Sequence, residues 1–294
     1  MPLFALISGY LCHIKSDDSK GRFIYRKIYT LFIPVFSWVV FEFFLGVVIK
    51  AQSIDSPVQL LKSFFSKLLY SYWFLWAMLF CAIVIWIFEK YLCGNIVIGI
   101  MAIILSLFIP DSVNSNLYIF VFPYYMMGYM WQKWRKRIVL STKWLKRIFL
   151  LDSVVFGILL LRYSYNSYIY TTHTYLFGAS GWKNQIGIDL YRWIIGFAGS
   201  LFVILVCYFS EKRLYICVKN TLIDLGKNTL GIYIVSTLIN MYGYKIVYKI
   251  AGKYFSPNVI IWIIETVLVL ILCLVVCRMI KKSRILSIMF LGGR

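Results

Sequence analysis

Two isolated carboxylates, a basic run and two histidines are the side chains here that could move protons or hold a charged ligand. Glu42 stands between Phe41 and Phe43 in an apolar stretch, and Glu265 lies in another. A carboxylate in apolar surroundings holds its proton more tightly and can serve as an acid or a base. A structural hydrogen bond to a neighbouring helix competes with that role at Glu42 and is the favoured expectation for Glu265. His13 and His173 are the two histidines; imidazole suits proton transfer near neutral pH, though by default His13 is interfacial and His173 superficial. Asp189 and Arg192, three residues apart, can pair on one helix face. Lys20, Arg22, Arg26 and Lys27 crowd ahead of Pro34. Guanidinium groups bind phosphate bidentately, but positive charge retained on the inner side of a membrane would place the same cluster there without any ligand.

The elements that must position these groups are membrane helices. Hydrophobic residues make up 62% of the 294 residues, charged residues only 14%, and the mean hydropathy is +0.81, far beyond soluble domains. An all-α, polytopic transmembrane bundle of about nine spans is expected, over 1–14, 31–49, 70–88, 96–109, 117–131, 148–162, 188–209, 228–244 and 259–280. Of the 31 Lys and Arg residues, 22 fall in 15–30, 89–95, 132–147, 210–227 and the tail from 278. That side should be cytoplasmic, which puts the N-terminus outside and the C-terminus inside. The net charge of +20 is interleaved with apolar runs, so lipid headgroups rather than nucleic acid are the expected partners. Seven cysteines, at 12, 81, 93, 207, 217, 273 and 277, form no C-x-x-C pair; neither a disulfide framework nor a metal site is expected.

The longest outer segment, residues 163–187, is rich in Tyr, Ser, Thr and Asn and carries Trp182. Such aromatics belong to the headgroup belt. They also suit a platform on which sugar rings stack while hydroxyls bond to amides. No internal repeat or soluble domain stands out, so residues 1–294 read as one membrane domain.

Several stretches resemble the integral-membrane acyltransferase family called acyltransferase 3. Pro2, Leu3, Phe4, Ser8, Gly9 and Tyr10 match its second helix, and the basic loop before Phe32-Ile33-Pro34 matches its next, with Thr30 where the family often has Arg. Tyr72-Trp73-Phe74-Leu75-Trp76, then Phe122-Pro123-Tyr124-Tyr125 with Gly128-Tyr129, then Leu225-Gly226-Lys227-Asn228-Thr229-Leu230-Gly231-Ile232-Tyr233 follow in the family's order. Ser236 stands where a histidine is common. Each motif alone is ordinary in membrane helices; their order over most of the chain is what identifies the family.

The resemblance implies transfer of an acyl group, commonly acetyl, from acyl-coenzyme A to a hydroxyl of a cell-surface polysaccharide precursor in the bacterial inner membrane. Arg22, Arg26 and Lys27 would meet the coenzyme A phosphates, with no metal. The family's catalytic histidine would fall on a helix ahead of Met1. Residues 1–294 alone are therefore expected to be inactive, with Glu42, His173 and His13 as remaining candidates for the base. An inactive remnant is compatible with this. A non-enzymatic transporter or flippase of polysaccharide or lipid-linked sugar would also explain the bundle, but not the ordered motifs, and paired Gly/Pro interruptions in two related halves are not seen.

Overall fold

A computed structural model describes residues 1–12, 14, 22–48, 57–92, 95–110, 114–134, 141–172, 174–176, 181–211, 213–243 and 259–293. Their regular structure is helical, with no strand among the described residues. The helices are α1 (Pro2–Tyr10), α2 (Arg22–Lys27), α3 (Ile33–Val48), α4 (Pro57–Tyr70), α5 (Trp73–Tyr91), α6 (Ile96–Ser106), α7 (Ser115–Trp134), α8 (Thr142–Leu161), α9 (Trp182–Ser210), α10 (Ile216–Lys227), α11 (Thr229–Leu238), α12 (Val259–Lys281) and α13 (Arg284–Leu291). The chain is thus an all-α membrane bundle.

Among the described residues four helices are long and apolar enough to cross a bilayer: Arg22–Val47, Trp73–Tyr91, Trp182–Ser210 and Ile263–Lys281. A fifth crossing follows if α10 and α11, bent by 69° and extended to Tyr242, count as one. The other expected spans are not marked by length and hydropathy alone, for physical reasons. α1 and α6 have 9 and 11 residues, against the roughly 20 that a bilayer needs. α7 is diluted by tyrosines and a proline, and α8 begins with Lys143, Lys146 and Arg147 and buries Asp152.

The chain forms two compact units. The first comprises Met1–Lys27 with Trp73–Arg213, the second Ile28–Tyr72 with Leu214–Arg294. In the first, α1 lies directly on α7. A Cβ on Gly9 would collide with the Tyr125 carbonyl, and one on Gly128 with that of Leu6. Glycine at both positions lets the backbones touch, as small residues do wherever membrane helices pack closely. Two of the stretches that carry the family resemblance are therefore the two sides of one seam. α7 also meets α9, where the Tyr124 ring lies 4.5 Å from that of Phe197 and its hydroxyl donates to the Arg192 carbonyl at 3.0 Å. α8 joins α9 through Phe149 and Phe156, each 5.7 Å from the Phe202 ring. Tyr129 donates to Glu89 at 2.7 Å and Lys133 pairs with it at 3.0 Å, tying α7 to α5.

In the second unit a π-helical turn, Ile28–Phe32, leads into α3. Pro34 has no N–H to give the Thr30 carbonyl four residues back, a defect that favours such a widened turn. Gly292 closes α13 in the left-handed conformation, at φ 68°, and its Cα sits against that same carbonyl. Trp38 donates to the Phe290 carbonyl at 2.8 Å, fixing α13 on α3, while Phe64 of α4 meets Phe36 and Phe43 edge-on. Asn228 makes the corner between α10 and α11: its amide donates to the Asp224 backbone carbonyl at 2.7 Å and carboxylate at 3.0 Å. Gly231 leaves room for Cys277 of α12. The glycine–lysine–asparagine stretch thus builds a bend.

Candidate functional site

α2 presents the basic run. Phe23 is buried and seats the helix on α5 within the first unit, leaving Arg22 and Arg26, one turn apart, exposed. Lys27 is half-buried, its ammonium 5.6 Å from the Phe23 ring centre, a cation–π distance. Two guanidinium groups at i and i+4 share a helix face and can grip neighbouring phosphates together. Lys20 and His13 lie outside the described residues, as does His173.

In the second unit Glu42 is wholly buried on α3. Lys67 of α4 approaches one carboxylate oxygen at 3.4 Å. The same ammonium donates to the Tyr242 hydroxyl at 3.4 Å, and that hydroxyl donates to the Glu42 backbone carbonyl, also at 3.4 Å. Among the described residues neither carboxylate oxygen has a well-formed hydrogen bond, and the buried Tyr72 hydroxyl lies beside the carboxylate, within its reach. Tyr72 holds a left-handed backbone, φ 54°, costly for a bulky residue, with its ring edge-on to Tyr233 at 6.5 Å. An ionisable group this deep in an apolar helix is expensive. With two open lone-pair faces, Glu42 can accept a hydroxyl proton or bond a hydroxyl donor.

In the first unit Asp189 and Arg192 form the pair expected from their spacing, at 3.0 Å and almost fully buried. The guanidinium goes further. Its Nε donates to the Ser167 carbonyl at 2.9 Å, and Nη2 to those of Asn166, Tyr168 and Thr172 at 3.2, 3.1 and 3.0 Å, and to the Thr172 hydroxyl. Gln185 donates to Asp189 at 3.0 Å. The loop of residues 164–172 is thereby fixed over α9. Tyr170 of the loop meets Trp73 edge-on at 6.2 Å, and burial raises the proton affinity of its phenol.

Of the expected site residues, the structure describes Arg22, Arg26, Lys27 and Glu42. The sequence singled out neither Lys67 nor Tyr242, and Tyr72 only as the first letter of a motif. A partial signal was present, because Glu42 is the single acid of the apolar run 31–49 and the following run 60–70 carries two cations, Lys62 and Lys67; opposite charges in neighbouring membrane segments tend to pair. No cluster of His, Cys, Asp or Glu suited to a metal occurs among the described residues.

A family model described as an acyltransferase domain matches residues 1–279. No curated protein and no solved structure matches the chain.

Proposed function

We propose, for a chain that belongs to this acyltransferase family and is a multi-pass membrane protein, that it moves an acyl group, acetyl in the first instance, from acyl-coenzyme A to a hydroxyl of a cell-surface polysaccharide precursor. The bacterial inner membrane is its proposed place, with the basic loops on the cytoplasmic side, where coenzyme A thioesters are found.

One observation carries the donor assignment: the exposed Arg22–Arg26 face of α2, held on its helix by buried Phe23. Arg22, Arg26 and Lys27 would take the coenzyme A phosphates, leaving the thioester to react. The acceptor oxygen attacks the thioester carbonyl, its proton passes to a base, the carbon–sulfur bond breaks, and the departing thiolate takes up a proton. The products are an O-acyl ester and free coenzyme A. Of the candidate bases, Glu42 is the one whose surroundings are described, and among the described residues its oxygens carry no well-formed hydrogen bond, so they can take a proton. Positioned base catalysis of this kind is worth about 10²–10⁴ in rate.

Replacing Arg22, Arg26 and Lys27 together by Gln tests the donor side. Coenzyme A binding should weaken at least about tenfold and lose much of its salt dependence. Unchanged affinity and salt response would reduce the three charges to topology signals.

A further inference from the structure

The loop pinned by Arg192 borders a cleft of about 730 Å³ in the first unit, between the end of α8 and the start of α9. Its size suits a small ligand, but its walls are unusually polar. Arg162 and Lys183 supply two cations, and Ser164, Asn166, Thr172 and Asn184 supply hydroxyls and amides. No carboxylate is among the described residues lining it; the nearby Asp189 is turned to Arg192 and Gln185 instead. Lys183 and Asn184 belong to the first turn of α9, whose cap, Gly181, gives no side-chain hydrogen bond. That leaves main-chain N–H groups and the positive end of the helix dipole as further attractions for an anion. Tyr191 contributes an aromatic wall, with its hydroxyl already donated to the Leu159 carbonyl at 2.7 Å.

Two cations without an opposing acid, amides and hydroxyls in quantity, and a fixed aromatic ring define a ligand by chemistry. We propose that this cleft binds an acidic saccharide, a sugar ring bearing a carboxylate or phosphate. The anion bridges Arg162 and Lys183, the ring hydroxyls bond to Ser164, Asn166, Thr172 and Asn184, and Arg192 is the positioning residue that holds the loop in place. That this saccharide is also the acyl acceptor rests on the function proposed above; its binding does not.

The test is a titration of the full chain in phosphatidylcholine nanodiscs with glucuronate, glucose 6-phosphate and glucose, read by tryptophan fluorescence or calorimetry. The acids should bind at least about tenfold tighter than glucose, the increment expected of a charge-assisted contact. The double variant Arg162→Gln, Lys183→Gln, both exposed and at helix ends, should abolish that preference and leave weak binding of the neutral sugar. Equal affinity for all three sugars, or a preference that survives the double variant, would overturn the proposal. So would loss of acid binding when phosphatidylglycerol is added to the nanodiscs, because the anion would then be a lipid headgroup. Preference for a carboxylate over a phosphate, or the reverse, would narrow the class. If acid sugars bind as expected but acetyl-coenzyme A acylates none of them, the proposed function falls and the cleft remains.

Discussion

Arg192 and Glu42 are both buried charges on apolar helices, one in each unit, and their surroundings differ in kind. Arg192 spends its guanidinium on Asp189, four loop carbonyls and a hydroxyl. Among the described residues Glu42 has an ammonium at 3.4 Å and the Tyr72 hydroxyl beside it, with no well-formed hydrogen bond on either oxygen. A buried charge that is saturated with partners holds a structure and has no capacity left for a ligand. One that is starved of them destabilises the protein at rest, and its open lone pairs can be filled by a reacting or bound group. By that logic the first unit's charge is a fastener and the second unit's is the one to test for chemistry. Variants at the two places should fail differently.

The largest effect is expected at the fastener. Arg192→Met keeps the stem but strands Asp189 in an apolar helix and releases the loop carbonyls. Removing one partner of a buried pair typically costs about 3–5 kcal/mol, a large part of a domain's total stability. Thermal unfolding should drop sharply, and limited proteolysis should open residues 164–172 first. A melting point close to the parent protein's would mean that the network is not what holds the loop.

Glu42→Gln should show the opposite profile. The side chain keeps its shape, and the half-buried Lys67 can turn its ammonium toward water, so the stability cost is about 1 kcal/mol or less. Acyl transfer should fall about 10²–10⁴-fold if Glu42 takes the acceptor's proton. Full activity in the variant would leave Glu42 a structural residue and return the base to His13, His173 or a group outside residues 1–294.

How much of this was legible in the sequence follows from what kind of signal each feature leaves. The helical class was plain, because apolar runs are a property of composition. The number of crossings is less plain: α1, α6, α7 and α8 are apolar enough to count by eye, yet they are short or carry charges and tyrosines, so length and hydropathy alone do not mark them as spans. The Asp189–Arg192 pair could be read because it is local, at i and i+3. Its reach to the carbonyls of Asn166, Tyr168 and Thr172 could not, since main-chain partners leave no mark on residue identity. The Glu42 cluster joins residues 25 to 200 positions apart, and only the opposite charges of Glu42 and the α4 lysines hinted at it. Glycine was partly informative. Gly9 and Gly128 were noticed as motif letters, and their reason, backbone contact between α1 and α7, emerges only in three dimensions.

That seam supplies the next test, because a unit built as scaffold should resist change in its packing as well as in its charges. Gly9→Val puts a branched side chain against the Tyr125 carbonyl and should cost about 1–3 kcal/mol, the usual toll of overpacking. Gly157→Ala on α8 is the control: nothing lies within 4 Å of its added Cβ, and exchanging a helical glycine for alanine should stabilise by about 0.5–1 kcal/mol. Equal behaviour of the two variants in thermal unfolding would remove the seam from the argument.

The smallest effect is expected from Tyr242→Phe, and it examines the starved site most directly. The phenol accepts from Lys67 and donates to the Glu42 main-chain carbonyl, both at 3.4 Å, the long end of the hydrogen-bond range. Deleting it should cost about 0.5–1.5 kcal/mol, less than any change at Arg192. What distinguishes a bridge from a mere neighbour is coupling. In a double-mutant cycle with Lys67→Met, measured by denaturant unfolding, a bridging hydroxyl gives an interaction energy of at least about 0.5 kcal/mol, as expected for groups in contact. Strict additivity would mean that Lys67 and Tyr242 act separately on Glu42, and the cluster would then be two pairs sharing an acid.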